Sequence, residues 1–256
     1  MNTSWIREVV HRDEVESTSD LARALVADPA AVLPLLVTAR RQTRGRGRGA
    51  NAWFSGDGSL MFTVALDPAA HRLDPALEPA VALAAALAVI DAARALVGPA
   101  RLAIRWPNDV EINGRKLAGI LPERVETPRG PRLLIGVGVN LATRFEHAPT
   151  DVQRRAVALD ECAESRLEDD APARCLTLIL DALPRLLDAL ADRDQTLLER
   201  LRSLDALRGQ PVRVDLGARI LAGVGAGFDD LGALLLRDRD GNLATVRGGV
   251  VLRDRA

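Results

Sequence analysis

Cysteine and histidine are scarce in this sequence. Its 256 residues include only two cysteines, Cys162 and Cys175, and three histidines, which stand far apart at positions 11, 71 and 147. So few cysteines do not form the disulfide framework of a small secreted protein, and we expect both thiols to be reduced. No group of cysteines and histidines has the spacing of a zinc site. The sequence therefore argues against a disulfide scaffold and against a zinc-binding module.

The sequence also lacks a surplus of charge and a long apolar run. It has 34 basic and 35 acidic residues, a balance that argues against a general nucleic-acid binder. The first residues contain no apolar core of a signal peptide. The most apolar run, residues 81–90, is shorter than the roughly 20 residues of a membrane span. We expect a soluble, cytoplasmic protein with a substantial core and with neither DNA nor a membrane as its partner.

Several common catalytic motifs are absent. There is no P-loop sequence, and no serine, histidine and aspartate are placed as a nucleophilic triad. Gly45, Gly47 and Ala50 match the dinucleotide-binding fingerprint, but the residues that follow them do not have a helical pattern. The same stretch is similar to RNA-binding arginine–glycine tracts, but it is short and lies between two apolar strands. An ATP site in this chain must therefore use another design.

What the sequence does contain is a cationic loop at residues 40–59, RRQTRGRGRGANAWFSGDGS. Five arginines fall within nine residues, three glycines alternate with the last of them, and no acidic residue occurs before Asp57. The glycines give the backbone freedom, and guanidinium groups bind phosphate well. We therefore predict an unneutralised loop whose residues 43–52 are mobile without ligand and close over an anion.

The pattern of apolar residues predicts an α+β fold with two domains, residues 1–208 and 209–256. In the first domain a helix at 75–97 is apolar nearly all round and so belongs against a sheet. Residues 142–170 look irregular, and residues 172–207 look helical with a kink or break at Pro184. Strands are predicted within 5–16 and at 33–38, 59–66, 102–106, 117–125 and 133–141.

The second domain has a different texture. From residue 209 onwards, short apolar runs alternate with glycine and Asp-Gly turns. This pattern is typical of short antiparallel strands joined by tight turns. We predict a small β-barrel of about five strands.

Two polar groups are candidates for chemistry. Ser17 and Thr18 precede a helical run, so they are either helix caps or ligand contacts at a helix N-terminus. Asp109 and Lys116 flank an Asn-Gly hairpin turn and can therefore lie close together. A carboxylate beside an ammonium suits a site for phosphate and Mg²⁺. The alternative is an exposed turn, because Pro-Asn-Asp is also a turn composition.

A third group, Gly136, Gly138 and Asn140, leaves room for a flat ligand against a strand. Together with the cationic loop, Lys116 and the ring of Trp53, it fits nucleotidyl transfer. In that reaction the protein mainly positions the substrates and stabilises charge on a phosphate.

These motifs, taken in order, resemble those of the biotin protein ligase (holocarboxylase synthetase) family. The resemblance covers about residues 9–253 and implies a class II synthetase-like catalytic domain, built on a mixed β-sheet with packed helices, followed by an SH3-like barrel. The matching segments are ESTS at 16–19, GRGRGANAWFS at 45–55, RWPND at 105–109, RKLAGIL at 115–121, GVGVN at 136–140 and GFDDLGAL at 227–234.

The resemblance implies ATP-dependent ligation of biotin to a lysine of a biotin carboxyl carrier domain of acetyl-CoA carboxylase or a related enzyme, through biotinyl-5′-AMP. Mg²⁺ would be held by Asp109, and the implied catalytic residues are Arg48, Lys116 and Asp109. The implied biotin-binding residues are Ser17, Thr18, Ser19, Gln42, Arg46, Gly47, Arg48, Lys116, Gly119, Gly136 and Gly138. The implied ATP-binding residues are Arg46, Arg48, Trp53, Asn108 and Asn140.

The sequence departs from the family pattern at four positions. Ser19 stands where asparagine is common, Ala50 where glycine is, Gly56 where proline is and Arg105 where lysine is. None of these changes removes a reactive group. Only 15 residues precede Glu16, so we expect no DNA-binding helix-turn-helix and no repressor activity.

Three alternatives stay open at this point. The chain could be a lipoate or octanoate ligase of the same fold, or a sensor of biotin that catalyses nothing, and nucleic-acid binding is a weaker third. Either a monomer or a homodimer is compatible with the sequence.

Overall fold

The computed structural model describes residues 4–164 and 166–252. Its larger part is built on a seven-stranded sheet with the strand order β1-β2-β3-β7-β6-β5-β4. β1 and β2 are parallel and the other neighbours are antiparallel, which confirms the predicted mixed sheet. The strands are β1 (Glu8–Val15), β2 (Leu35–Gln42), β3 (Ser59–Leu66), β4 (Leu102–Arg105), β5 (Asp109–Ile112), β6 (Arg115–Thr127) and β7 (Gly130–Asn140).

Within the described residues, five α-helices accompany the sheet: α1 (Thr18–Val26), α2 (Glu78–Val97), α3 (Thr150–Arg155), α4 (Ala171–Ala191) and α5 (Gln195–Ser203). α2 packs between the sheet and α4, and its apolar residues are buried on nearly all sides, as its sequence predicts. By length and composition the apolar stretch Pro75–Val97 is long enough to cross a membrane, contrary to our expectation from the shorter run. Because 72% of its most apolar window is buried inside the protein, it is a core helix.

Pro184 does not break its helix, so of the kink or break predicted at this residue the break was wrong. α4 continues through Pro184 and ends at Ala191, and the chain turns at Asp192–Asp194 before α5. A proline has no N–H to donate to the carbonyl four residues earlier, which here is that of Leu180. The indole N–H of Trp5 donates to this carbonyl at 2.9 Å. A distant side chain thus supplies the hydrogen bond that the proline cannot make.

The predicted hairpin around Asn113 and Gly114 is present, with φ of 51° and 79° at the two residues. It joins β5 to β6, so a short strand that we did not predict lies between Pro107 and the turn. β4 stops at Arg105, the chain turns through residues 106–108, and β5 returns antiparallel to β4. The Pro-Asn pair therefore forms a tight turn at the end of two strands. The turn is half-buried and faces the cavity described below, and the phosphate and Mg²⁺ site at this segment stays a prediction.

A second sheet of five antiparallel strands follows, with the order β11-β10-β9-β8-β12. It is consistent with the predicted SH3-like domain. Trp106 connects the two sheets, since its indole N–H donates to Gly232 O at 3.0 Å. The domain boundary at residue 208 stays a prediction. The strands are β8 (Pro211–Asp215), β9 (Ile220–Phe228), β10 (Leu234–Arg237), β11 (Leu243–Val246) and β12 (Val250–Val251).

Asp205 lies in the segment that joins the two sheets, next to Ile104 of β4. Its Oδ1 accepts a hydrogen bond from the Leu207 N–H at 2.9 Å. Its Oδ2 is buried and has no hydrogen-bond partner among the described residues. Burial therefore raises the pKa of Asp205 to about 6. The folded protein binds a proton here more tightly than the unfolded chain does.

We expect Asp205→Asn to stabilise the protein at pH 7.5 but not at pH 4. Because the pKa of this carboxyl is raised in the folded protein, its protonation stabilises the fold at low pH. This stabilisation is lost as the pH rises from about 4 to about 6, and ionisation lowers the free energy of unfolding by about 1–3 kcal/mol. Urea denaturation at the two pH values measures the difference. Asp28→Asn is the control, because exposed Asp28 likewise accepts a hydrogen bond from the N–H two residues later, at 2.8 Å. An equal effect of Asp205→Asn at both pH values would show that ionisation of this carboxyl does not destabilise the fold.

Candidate active site

One cavity of about 470 Å³ collects almost every site residue that the sequence predicts. It lies where the cationic loop, the start of α1, the β4–β5 turn and strands β6 and β7 meet. The second sheet closes one side with residues 249–251. The predicted residues that line it are Ser17, Thr18, Ser19, Gln42, Arg46, Gly47, Arg48, Trp53, Asn108, Asp109, Lys116, Gly119, Gly136 and Gly138.

The floor of the cavity near α1 is a polar network. Gln42 Oε1 accepts from the Thr18 N–H at 2.7 Å and from the Thr18 hydroxyl at 3.2 Å. Thr63, which is fully buried in β3, contacts the hydroxyls of Thr18 at 2.9 Å and Ser19 at 3.2 Å. The Gln42 amide nitrogen donates to the sulfur of Met61 at 3.2 Å, and thioether sulfur is a weak acceptor. Hydroxyl and amide groups are thus fixed for a small polar ligand.

Ser17 confirms the first of its two interpretations and permits the second. It is the N-cap of α1, where its side chain accepts from the Asp20 N–H at 3.4 Å. It is also buried and lines the cavity. The cap therefore places a buried hydroxyl at the start of α1 beside the ligand space.

The two glycines of β7 form a flat wall. A Cβ at Gly138 would lie 2.5 Å from Trp53 Cε2, and a Cβ at Gly136 would lie 2.7 Å from the Ser19 hydroxyl. Only glycine allows such close approach without displacing a neighbour. The Trp53 ring therefore lies directly on the strand. Its indole nitrogen is buried and has no hydrogen-bond partner among the described residues.

Lys116 and Asp109 form an ion pair in the cavity, as the hairpin predicts. Lys116 Nζ is 2.6 Å from Asp109 Oδ1 and 5.8 Å from the centre of the Trp53 ring. The Asn108 side chain donates to Ile120 O at 2.7 Å, which holds the β4–β5 turn against β6. A positive charge is thereby fixed between the polar floor and the aromatic ring.

The cationic loop is not unneutralised, and this prediction was wrong. The loop and the strand before it lie beside acidic residues of β1 and the residue that follows it, of α1 and of β6, which the local sequence does not show. Four of the five arginines pair with carboxylates: Arg40 with Asp13 at 3.7 Å, Arg41 with Glu14, Arg44 with Glu16 at 3.1 Å, and Arg46 with Asp20 at 2.9 Å and Glu123 at 2.7 Å. Whether residues 43–52 are mobile stays a prediction.

Arg48 is the exception among the five. No carboxylate of the described residues lies within ion-pair distance of its guanidinium, which donates instead to Gly249 O of the second sheet. Burial lowers the pKa of Arg48. In Arg46 burial has the same tendency, but hydrogen bonds and charges from Glu123 and Asp20 outweigh it and raise the pKa. Arg48 is therefore a partly desolvated cation with no counter-anion among the described residues.

A second cavity of about 480 Å³ lies on the other side of Trp53. Asn140 lines this cavity, together with Phe54, Phe145 and Arg155. The Asn140 amide donates to Lys116 O at 3.3 Å. Phe145 and Arg155 were not predicted from the sequence, because their segment has no strong pattern. The only signal for Phe145 is that phenylalanine is rare in this chain. Thr63 was not predicted either, and its signal is a polar residue inside an apolar strand.

Among the described residues no group of three or more acidic, histidine or cysteine side chains could hold a metal ion. Mg²⁺ commonly binds through one or two carboxylates and substrate phosphates. Asp109 in the cavity fits that kind of site and does not fit a cage made by the protein alone.

Known proteins resemble this chain over most of its length. The family described as biotin/lipoate A/B protein ligase matches residues 14–140. A biotin–[acetyl-CoA-carboxylase] ligase from Paracoccus denitrificans is 33% identical over 219 residues, which are 84% of this chain and 89% of the relative. The enzyme of the same name from Mycobacterium tuberculosis is 32% identical over 238 residues, which are 91% of this chain and 83% of the relative.

Solved structures have the same architecture. The biotin protein ligase from Aquifex aeolicus in complex with biotin and ATP superimposes with a TM-score of 0.80 at 23% identity, over 96% of this chain and 98% of that one. The biotin protein ligase from Leishmania major in complex with biotin gives a TM-score of 0.64 at 25% identity, over 93% and 97%. The fold of the whole described chain, including the second sheet, is thus one that occurs in solved structures.

Proposed function

The chain belongs to the biotin/lipoate A/B protein ligase family, and we propose that it joins biotin to a lysine of a biotin carboxyl carrier domain in two steps. It is a ligase that uses biotin and ATP. In the first step the biotin carboxylate attacks the α-phosphate of ATP, and pyrophosphate leaves. In the second step the lysine amine attacks the acyl carbon of biotinyl-5′-AMP, and AMP leaves. The observation that carries this proposal is that one cavity joins a polar floor, an ion-paired lysine and an arginine that has no counter-anion in the described part of the chain.

Biotin fits the half of the cavity between α1 and β7. Its ureido ring needs donors and acceptors, which Ser17, Thr18 and Gln42 supply there. Gly136 and Gly119 leave space for the rest of the bicyclic ring. Ser19 stands where asparagine is common in the family. Its hydroxyl forms a hydrogen bond with Thr63, and it offers biotin a smaller polar surface than an asparagine would.

The reacting carboxylate and the α-phosphate then meet near Lys116. Two anions that approach each other repel, so fixed cations at their meeting point lower the barrier. Lys116 and Arg48 are those cations in our proposal. Arg46 and Gly47 cover the phosphate through the loop backbone, because the Arg46 side chain is already paired. Mg²⁺, which arrives with ATP, supplies further positive charge to the phosphates, and Asp109 is the carboxylate that would hold it.

The nucleoside extends past Trp53 into the second cavity. Trp53, Asn108 and Asn140 lie along this path, and Phe54 and Phe145, with ring centres 6.3 Å apart, give it an apolar end. Aromatic rings bind a base through its flat face. This arrangement supports the two-part ligand that an acyl-adenylate requires.

The partner in the second step is the carrier domain of an acetyl-CoA carboxylase, since relatives are named for that substrate. The relatives with that name are bacterial enzymes, and we propose that this chain acts in the cytoplasm. A monomer or a homodimer and the absence of DNA binding remain predictions.

Exchange of labelled pyrophosphate into ATP, measured with biotin, lipoate and octanoate in turn, tests the choice of acid. We expect exchange with biotin at least about 100-fold faster than with the other two, because only biotin satisfies the polar floor. Transfer to a purified carrier domain, followed by intact-protein mass, tests the second step. Faster exchange with lipoate or octanoate would establish the alternative ligase, and binding of biotin without exchange would establish a sensor.

A further inference from the structure

We propose that Glu123 is a positioning residue that holds the cationic loop over the cavity through Arg46, and that this clamp sets how long the enzyme retains its acyl-adenylate. The inference rests on the function proposed above. Glu123 lies on β6, and only 15% of its side chain is exposed. It is remote in sequence from the loop and belongs to no motif that we identified.

The contact between the two residues is bidentate. Arg46 Nη1 donates to Glu123 Oε2 at 2.9 Å, and Arg46 Nη2 donates to Glu123 Oε1 at 2.7 Å. Arg46 Nη1 also donates to Asp20 Oδ1 of α1 at 2.9 Å. Paired charge-assisted hydrogen bonds fix orientation as well as distance. One arginine of the loop is therefore bound at once to a helix and to a central strand.

The loop around Arg46 is itself a small hairpin. The Gly47 N–H donates to Asn51 O at 2.8 Å, the Trp53 N–H donates to Gly45 O at 2.8 Å, and Arg46 pairs with Ala52. Arg46 thus stands at the base of a hairpin that presents Arg48 near its tip. Fixing the Arg46 side chain fixes where this hairpin leaves the protein body.

The other arginine pairs differ in kind. The carboxylate partners of the other paired arginines, Arg40, Arg41 and Arg44, lie on the neighbouring strand β1 or at the residue that follows it. The side chains of these arginines are 61–78% exposed. Exposed pairs of this sort contribute little. Glu123 is more buried than any of their carboxylate partners, and it also accepts from Arg23 at 2.9 Å. A carboxylate flanked by two arginines is held in place, which makes it a firm anchor.

The clamp also explains why Arg46 and Arg48 have different roles in the proposed site. The carboxylates of Glu123 and Asp20 neutralise Arg46, so it adds little net charge to the cavity. Arg48, two residues later, keeps its charge for the phosphate. Loss of Glu123 would free the hairpin and leave Arg46 paired with Asp20 alone. The chemical groups at the reaction centre would remain.

Glu123→Gln tests the clamp, because glutamine keeps the size but removes the charge. In the absence of carrier domain, we expect the bound biotinyl-adenylate to be released about 10-fold faster, a change that corresponds to one charge-assisted hydrogen bond. The KM for ATP should rise by a similar factor, while kcat for pyrophosphate exchange should change less than about 3-fold. Glu123→Asp, which retains the charge, should restore part of the retention.

Glu126→Gln is the matched control. Glu126 lies on the same strand and also pairs with an arginine, Arg124 at 3.1 Å, but its side chain is 73% exposed and its partner does not belong to the loop. It should leave release, KM and kcat as in the wild type. Arg46→Lys, which keeps the charge but not the bidentate geometry, should accelerate release like Glu123→Gln and serves if the latter does not fold.

Three results would overturn the clamp: unchanged release in both clamp variants, equal acceleration by Glu126→Gln, or a fall in kcat with release and KM unchanged. Failure of the wild-type enzyme to form any biotinyl-adenylate would refute the proposed function instead. The two failures are therefore distinguishable in the same set of assays.

Discussion

Replacing Lys116 with methionine should lower biotin-dependent ATP–pyrophosphate exchange by about two to three orders of magnitude. Loss of one preorganised charge that faces a developing charge typically costs this much. Methionine keeps most of the aliphatic length of lysine and removes the ammonium. The change leaves Asp109 without its partner at 2.6 Å, but the pair is partly exposed, so the fold should tolerate it. Initial rates at saturating biotin and ATP measure the effect on the chemical step.

Arg115→Met is the matched control for this substitution. Arg115 is the neighbouring residue, it is 43% exposed, and it pairs with Glu161 at 3.1 Å outside the cavity. We expect its exchange rate to stay within about 2-fold of the wild type, as for most surface positions. Comparable losses in the two variants, or a Lys116→Met enzyme with normal kcat, would show that Lys116 does not stabilise the reacting phosphate.

Gly138→Ala should raise the KM values for ATP and biotin by about 10- to 100-fold. The added Cβ would lie 2.5 Å from Trp53 Cε2, a distance that real contacts do not reach, so the indole ring must move. Displacement of a positioning group by about 1 Å can cost 100-fold. Because Trp53 separates the two cavities, its shift should affect both substrates. Steady-state kinetics with each substrate varied in turn will show this.

A double-mutant cycle with Trp53→Leu checks the cause. If Gly138→Ala acts by pushing the indole, it should do little further harm once the ring is gone, so the two effects should be far from additive. Additive losses would contradict the role that we assign to the Gly138–Trp53 contact. The melting temperatures of all three variants monitor the fold.

The sequence predicted well which side chains of the site lie together, because they occur in short motifs with strong local constraints. Asp109 and Lys116 flank a hairpin turn that Asn113 and Gly114 specify by themselves. Gly136 and Gly138 lie inside a strand, where glycine often indicates that another group approaches the backbone closely. The helix at 75–97 is recognisable because nearly all of its residues are apolar. In each case the information lies within about ten residues of the chain.

The predictions that failed depend on pairs of distant residues. Pro184 has no N–H to donate to the Leu180 carbonyl. That carbonyl still accepts a hydrogen bond because Trp5, 175 positions earlier in the sequence, is adjacent in space. Arg46 meets Glu123 across 77 positions. The Arg48 guanidinium meets a backbone carbonyl of the second sheet, which has no side-chain signature at all. Local composition made the loop look uncompensated, whereas the tertiary structure supplies most of its counter-charges.

A single-turnover experiment tests the central claim most directly. The enzyme, in excess over ATP labelled at the α-phosphate, is mixed with biotin and Mg²⁺ without any acceptor, quenched, and analysed for labelled adenylate. We predict about one biotinyl-adenylate per ATP, which remains bound and disappears when a carrier domain is added, with equal amounts of AMP and biotinylated carrier formed. No labelled adenylate with biotin, or adenylate only with lipoate or octanoate, would contradict the proposed biotin ligase activity.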